Sequence, residues 1–194
     1  MPVLYPGNAA ECLELGLHGI EMSRATGLWS ALKVVTAVAD GSGTVRLPVL
    51  DKSPIAPVHH VDGEPWHRVP SAQFLGPRMV QVEREFHEVR TGLALEYGRL
   101  NKLNRFDTNP SDAWLGVIAT GFTFGQVLES FRRLGLTTLQ QIEDAGIRLL
   151  NLRMPLPFDP DLVDQLARGL DQVLVIEEKN PTLEVLVRLS LIHI

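Results

Sequence analysis

The stretch Ala113-Trp-Leu-Gly-Val-Ile-Ala-Thr-Gly-Phe-Thr-Phe-Gly125 decides the fold. Its uncharged run Leu115 to Ala119 stops at Gly121 and passes at once into a segment of helical period. A strand buried on both faces meets its covering helix in this way. The pattern recurs downstream, where apolar runs at Ile147 to Leu152 and Val173 to Ile176 alternate with helical patterns near 124–134, 160–170 and 181–188. Such alternation predicts an α/β domain with an open parallel sheet and right-handed helical crossovers. Three helix starts are marked: Thr123 with Gln126 as a capping box, Asp159 before Pro160, and Asn180 before Pro181. Function in such a sheet belongs to the loops at the C-terminal ends of the strands.

Upstream, Pro2-Val-Leu-Tyr5 reads as a short extended segment. Asn8 with Glu11 resembles a capping box, Leu13, Leu17 and Ile20 share a face, and Gly27 is a C-cap, which predicts a helix over 9–25. The β-branched run Leu28 to Val38, closed by Asp40-Gly-Ser-Gly43, predicts a buried strand. Together these form a βαβ unit without neighbours, expected to be loose because it buries too little apolar area alone. Prolines 48, 54, 57, 65, 70 and 77 argue for a connector or extended arm. Val82, Phe86, Val89, Leu93, Tyr97 and Leu100 then predict one long amphipathic helix over 79–104. The polar stretch Asp107 to Asp112 reads as a domain boundary.

Composition narrows the class. The 194 residues are 45% hydrophobic and 21% charged with a formal charge of -5, which excludes disorder, collagen and coiled coil. No block of Lys or Arg offers a footprint for nucleic acid or an anionic membrane. Cys12 alone can build no intramolecular disulfide, four-thiolate zinc site or iron-sulfur cluster. No apolar run approaches the roughly 20 residues of a membrane span and no signal peptide stands at the start. A soluble, cytoplasmic protein is expected.

Candidate chemistry is sparse. Gly116 to Gly125 sits at a strand-to-helix junction that could hold a phosphate, yet it matches neither GxGxxG nor the Gly-Lys-Ser/Thr loop; otherwise Gly121 makes the turn and Thr123 caps the helix. His59, His60, Asp62, Glu64 and His67 concentrate metal-ligand types but match no ligand spacing. Glu83 and His87 stand at i and i+4 without the second histidine of HExxH. Ser42 lacks the context of a nucleophile elbow. Glu177-Glu-Lys179, at the end of the last strand, suits either a ligand contact or a solvated charge cluster.

Pro2 to Asn8, Gly16-Leu-His-Gly19, Met22-Ser-Arg24, Gly27-Leu-Trp29, Val38 to Thr44, Glu83 to Arg90, Ala113 to Gly121, Gly146 to Leu150, Met154-Pro155 and Val175 to Glu184 together resemble the long, fused indolepyruvate ferredoxin oxidoreductases. That resemblance implies thiamine diphosphate chemistry: decarboxylation of an aryl 2-oxoacid, acyl capture by coenzyme A, and two electrons passed through iron-sulfur clusters to ferredoxin. Family members are several times longer. Residues 1–45 resemble the end of the pyrimidine-binding thiamine domain, 46–112 are the connector and long helix, and 113–188 resemble the transketolase C-terminal-like domain. The resemblance implies that the cofactor-activating glutamate, the magnesium-diphosphate motif and the cluster cysteines lie outside the chain, so no catalytic, cofactor-binding or metal-ligating residue is assigned within it. Thr36 and Asp40 are placed at a strand C-terminal end, the side where such domains hold the cofactor. Thiamine diphosphate, magnesium and clusters thus belong to a parent enzyme, with ferredoxin and coenzyme A as its partners and a homo-oligomer as its expected state. The other reading is a noncatalytic α/β interaction module. Leu189-Ser-Leu-Ile-His-Ile194 departs from the family and reads as a translated sequencing adapter, expected to contribute nothing native.

Overall fold

The computed structural model describes residues 1–45, 53–61, 63–70 and 75–192. In chain order it holds β1 (Val3–Leu4), α1 (Ala9–Thr26), β2 (Ala31–Leu32), α2 (Thr36–Ala39), β3 (His60–Val61), β4 (Glu64–Pro65) and α3 (Pro77–Glu85). A π-helical turn, Phe86–Arg90, leads into α4 (Thr91–Leu100). Then come β5 (Asn104–Thr108), β6 (Leu115–Thr120), α5 (Gly121–Arg133), α6 (Leu139–Asp144), β7 (Ile147–Leu152), α7 (Pro160–Ala167), β8 (Gln172–Ile176) and α8 (Thr182–Leu191).

The main sheet has the order β5-β7-β6-β8, with β6 parallel to both β7 and β8. β5 runs antiparallel to β7, an element the sequence reading missed. Its Asn-Arg-Phe-Asp-Thr carries two charges and lacks the apolar run that betrayed β6, β7 and β8. Consequently the expected boundary stretch begins inside the sheet: Thr108 Oγ1 donates to the Ile147 carbonyl at 2.8 Å, and the Pro110 carbonyl accepts from Arg148 at 3.2 Å. Helices cover both faces, as period-two alternation along β6 and β7 requires. Val117, Ala119 and Leu149 pack with Phe124, Val127 and Ile142 on one face. Ile118, Leu150 and Leu152 pack with Val163, Leu166, Leu183 and Val187 on the other.

The N-terminal unit is β1-α1-β2, with β1 parallel to β2. Asn8 accepts from the Glu11 amide and Gly27 ends α1 at φ 67, both as the sequence predicts. The expected strand 28–38 shrinks to Ala31–Leu32, since β1, its only partner among the described residues, is two residues long, and Thr36–Ala39 turns helical. The expected inward face of α1 is corrected too. Leu13, Leu17 and Ile20 are exposed, whereas Leu15 and Met22 are buried with Leu4, Leu28, Ala94, Tyr97, Leu103 and Met154. The long helix is present but interrupted by its π turn, where Thr91 Oγ1 donates to the Phe86 carbonyl. This turn brings the Arg90 guanidinium onto the carbonyls of Thr26 and Gly27 at the end of α1. α8 runs through Leu191, which packs against the sheet; His193 and Ile194 lie outside the described residues.

Candidate functional site

β6 lies at the point where the winding reverses. From its end α5 leaves over one face, while α8 leaves the end of neighbouring β8 over the other. A crevice therefore opens outside the carboxyl ends of these two strands, the general ligand position of open α/β sheets. The N-terminal unit closes it from above, because β1 continues into Tyr5 and β2 into Lys33–Thr36 at the same place. The resulting cleft has a volume of about 720 Å³.

Tyr5 sits in the crevice. Its amide donates to the Arg153 carbonyl at 2.8 Å and its hydroxyl donates to Glu178 Oε2 at 3.0 Å. Burial, and then the bond to and charge of Glu178, push the phenol up to about 12. Lys33 Nζ stands 4.2 Å from the Tyr5 ring centroid. Gly121, at φ 49, faces the same ring and has no room for a Cβ. Of the two readings of Gly116 to Gly125, the geometry favours the turn: the ring and Gly7 occupy the space in front of Gly121 where a phosphate would rest.

The helix starts are partly corrected. Thr120, not Thr123, is the N-cap of α5, and it makes no side-chain cap bond; Thr123 is buried inside the first turn. Asp159 caps α7 as expected. Asn180 does not cap α8, whose N-terminal amides are taken instead by Glu177: Leu183 N and Glu184 N each donate to its carboxylate at 2.7 Å. Glu177 and Glu178 thus have separate structural tasks. Thr36 lines the cleft, but at the start of α2 rather than at a strand end; Asp40 is the C-cap of α2 and lies outside that lining.

The remaining candidates do not converge. His60 pairs with Pro65 in the β3–β4 hairpin, Asp62 lies outside the described residues, and among the described residues no three His, Cys, Asp or Glu side chains gather as a metal site would require. Glu83 and His87 are both exposed, and the His87 ring meets Phe86 edge-on at 5.0 Å. Ser42 lies in a smaller recess beside Gly7 and Asn8. Cys12 is a free thiol whose pKa is raised by burial and by the charge of Glu11. No helix among the described residues is long and apolar enough to cross a membrane.

Sequence reasoning missed Tyr5 and Lys33, since only tertiary packing carries them to the end of β8. It also missed Arg153, nearly buried at 3% exposure, which binds Glu14 through both terminal nitrogens at 2.8 and 3.0 Å and the Leu103 carbonyl through Nε.

Residues 106–193, the sheet and the helices that bound the cleft, match the family described as the indolepyruvate oxidoreductase domain. The chain is similar to indolepyruvate oxidoreductases. The match passes Arg188, where the resemblance was expected to end. Indolepyruvate oxidoreductase subunit IorA of Methanothermobacter thermautotrophicus is 30% identical over 185 residues, covering 95% of this chain and 27% of the relative. The subunit of the same name from Pyrococcus abyssi is 24% identical over 195 residues, covering 95% and 27%. The chain therefore spans about a quarter of the length of these IorA relatives. Among solved structures, a 2-oxoglutarate:ferredoxin oxidoreductase from Magnetococcus marinus, with 2-oxoglutarate, coenzyme A and succinyl-CoA bound, superposes with a TM-score of 0.61 at 14% identity. It covers 97% of this chain and 37% of that one, a likeness of fold.

Proposed function

We propose that this chain is a segment of a thiamine-diphosphate-dependent indolepyruvate:ferredoxin oxidoreductase. The parent reaction would be oxidative decarboxylation of an aryl 2-oxoacid to an acyl-CoA and carbon dioxide, with two electrons delivered to ferredoxin. The observation that carries this reading is the extent of similarity: the IorA alignment runs through 95% of the chain, so the N-terminal unit and the sheet are both included. In the same proposal, 1–45 ends a pyrimidine-binding domain, 46–112 connects, 113–188 is a transketolase C-terminal-like domain, and the parent is a cytoplasmic homo-oligomer.

The residues present do not fit the cofactors themselves. One cysteine stands where a cluster needs four thiolates, and among the described residues no acidic group of three faces a common point where magnesium could bridge a diphosphate. The segment's own contribution is then architectural: it joins a βαβ unit to an α/β sheet through Arg153, Tyr5 and the cluster around Met154. The 194-residue chain, assayed with indolepyruvate, coenzyme A, thiamine diphosphate and a viologen acceptor, is expected to show no turnover above the blank. The flanking DNA, read in frame, is expected to encode a GDG...N segment and CxxCxxC cysteines. Turnover by the isolated chain would refute the segment reading. Stop codons at both ends would favour the noncatalytic interaction module.

A further inference from the structure

The cleft at the ends of β6 and β8 carries chemistry that the joint itself does not use. Both of its carboxylates are engaged, Glu177 by the α8 amides and Glu178 by the Tyr5 hydroxyl. Lys33 and Lys179 line the same cleft, and among the described residues neither ammonium forms an ion pair. The hydroxyl-bearing side chains of Thr36, Thr120 and Thr182 also line it, while Val34, Leu156, Leu183 and Leu186 supply apolar walls. A volume of about 720 Å³ falls within the ~300–1,000 Å³ typical of small-molecule sites.

We propose that this cleft binds an organic anion, with its carboxylate or phosphate head between Lys33 and Lys179 and its apolar body against Leu156 and Leu183. The physical case is a difference between ligands. An apolar body alone gains burial. A charged head gains in addition two charge-assisted hydrogen bonds from ammonium groups that, among the described residues, form no ion pair, a gain that must exceed repulsion from Glu177 and Glu178 in the same cleft. Lys33 is already held over the Tyr5 ring, so part of its ordering cost is met before any ligand arrives. The proposal is independent of the parent reaction, since it needs neither a cofactor nor residues outside the chain.

The test uses the full 194-residue chain and four probes, followed by calorimetry and by amide shifts in NMR: phenyl phosphate, benzoate, inorganic phosphate and neutral benzyl alcohol. Phenyl phosphate and benzoate are expected to bind about tenfold more tightly than benzyl alcohol, with shifts at Thr36, Thr120 and Thr182. Their ranking identifies the preferred head, and inorganic phosphate should bind more weakly than phenyl phosphate. The double substitution Lys33→Met and Lys179→Met should weaken both aryl anions about tenfold, leave benzyl alcohol unchanged, and be rescued by Lys33→Arg with Lys179→Arg. Both lysines are exposed, so a matching melting temperature certifies the fold of each variant. The proposal fails if the neutral probe binds as tightly as the anions, if the methionine pair keeps anion affinity, or if no probe binds at millimolar concentration. Any of these would make the cleft a hydrated seam between packed units.

Discussion

Gly121 joins two observations at one residue: a left-handed φ of 49 and a Tyr5 ring lying where a Cβ would go. Opposite it, a Cβ on Gly7 would come within 2.6 Å of the Gly121 carbonyl oxygen. Gly121→Ala is therefore expected to lower unfolding stability by at least about 2 kcal/mol, through backbone strain plus displacement of Tyr5, measured as the urea midpoint at constant m. A second residue-scale expectation concerns Arg153. Burial alone would raise the Glu14 carboxyl, but the bond to Arg153 and its charge hold it below the ordinary range. Glu14→Ala leaves a nearly buried guanidinium with the Leu103 carbonyl and the more distant Glu11, so it should cost about 1–3 kcal/mol, less than a fully buried pair because Glu14 is itself 42% exposed. At this scale the sequence was readable where a residue acts locally, as Asn8 and Asp159 do in capping their own helices. It was silent where the partner is remote, as with Tyr5 and Glu178, which lie 173 positions apart.

Among the elements, legibility followed apolar content. β6, β7 and β8 announced themselves as mostly apolar runs, whereas β5 resembled a linker and the run Val34 to Val38 resembled a strand although among the described residues it has no strand to pair with. The α1–α4 contact, absent from any local pattern, provides a pH test. His18 Nδ1 lies 3.1 Å from the hydroxyl of buried Tyr97, with the rings edge-to-face at 5.9 Å. Burial lowers the His18 pKa from its ordinary 6.5; Glu14 opposes this and Arg153 reinforces it. A base with a depressed pKa binds fewer protons folded than unfolded, so its contribution to stability is present above about 6.5 and is lost as pH falls through the window below it. Stability should thus decline between about pH 7 and pH 5, and His18→Gln should flatten that part of the profile. Equal slopes in the two proteins would remove His18 from the account.

For the whole molecule, the sequence reading expected residues 1–45 to be loose and 113–188 to fold as a unit. That expectation treats the two-stranded βαβ piece as if it stood alone, with too little core of its own. It omits what the rest of the chain supplies. Met154 and Leu103, at one end of the β5–β7 pair, enter the same cluster as Leu4, Leu15 and Met22, and the Val3 amide donates to the Leu156 carbonyl at 2.8 Å. Arg99 of α4 grips Asp159 at the head of α7 through bonds of 2.8 and 2.5 Å, tying the long helix to the far face. Because the cluster around Met154 and the Val3–Leu156 bond cross between the two parts instead of lying within either, opening one part exposes apolar surface of the other. One cooperative transition is expected, with far-UV circular dichroism and tryptophan fluorescence coincident, and with α1 and β6 amides exchanging at the same free energy. Met154→Ala should lower stability by about 2–5 kcal/mol and reduce protection in α1 first, since its side chain belongs to the α1 cluster although its backbone follows β7. If α1 amides in the unaltered chain exchange well below the global free energy, the two parts fold separately, and the cleft between them opens on the timescale of that exchange.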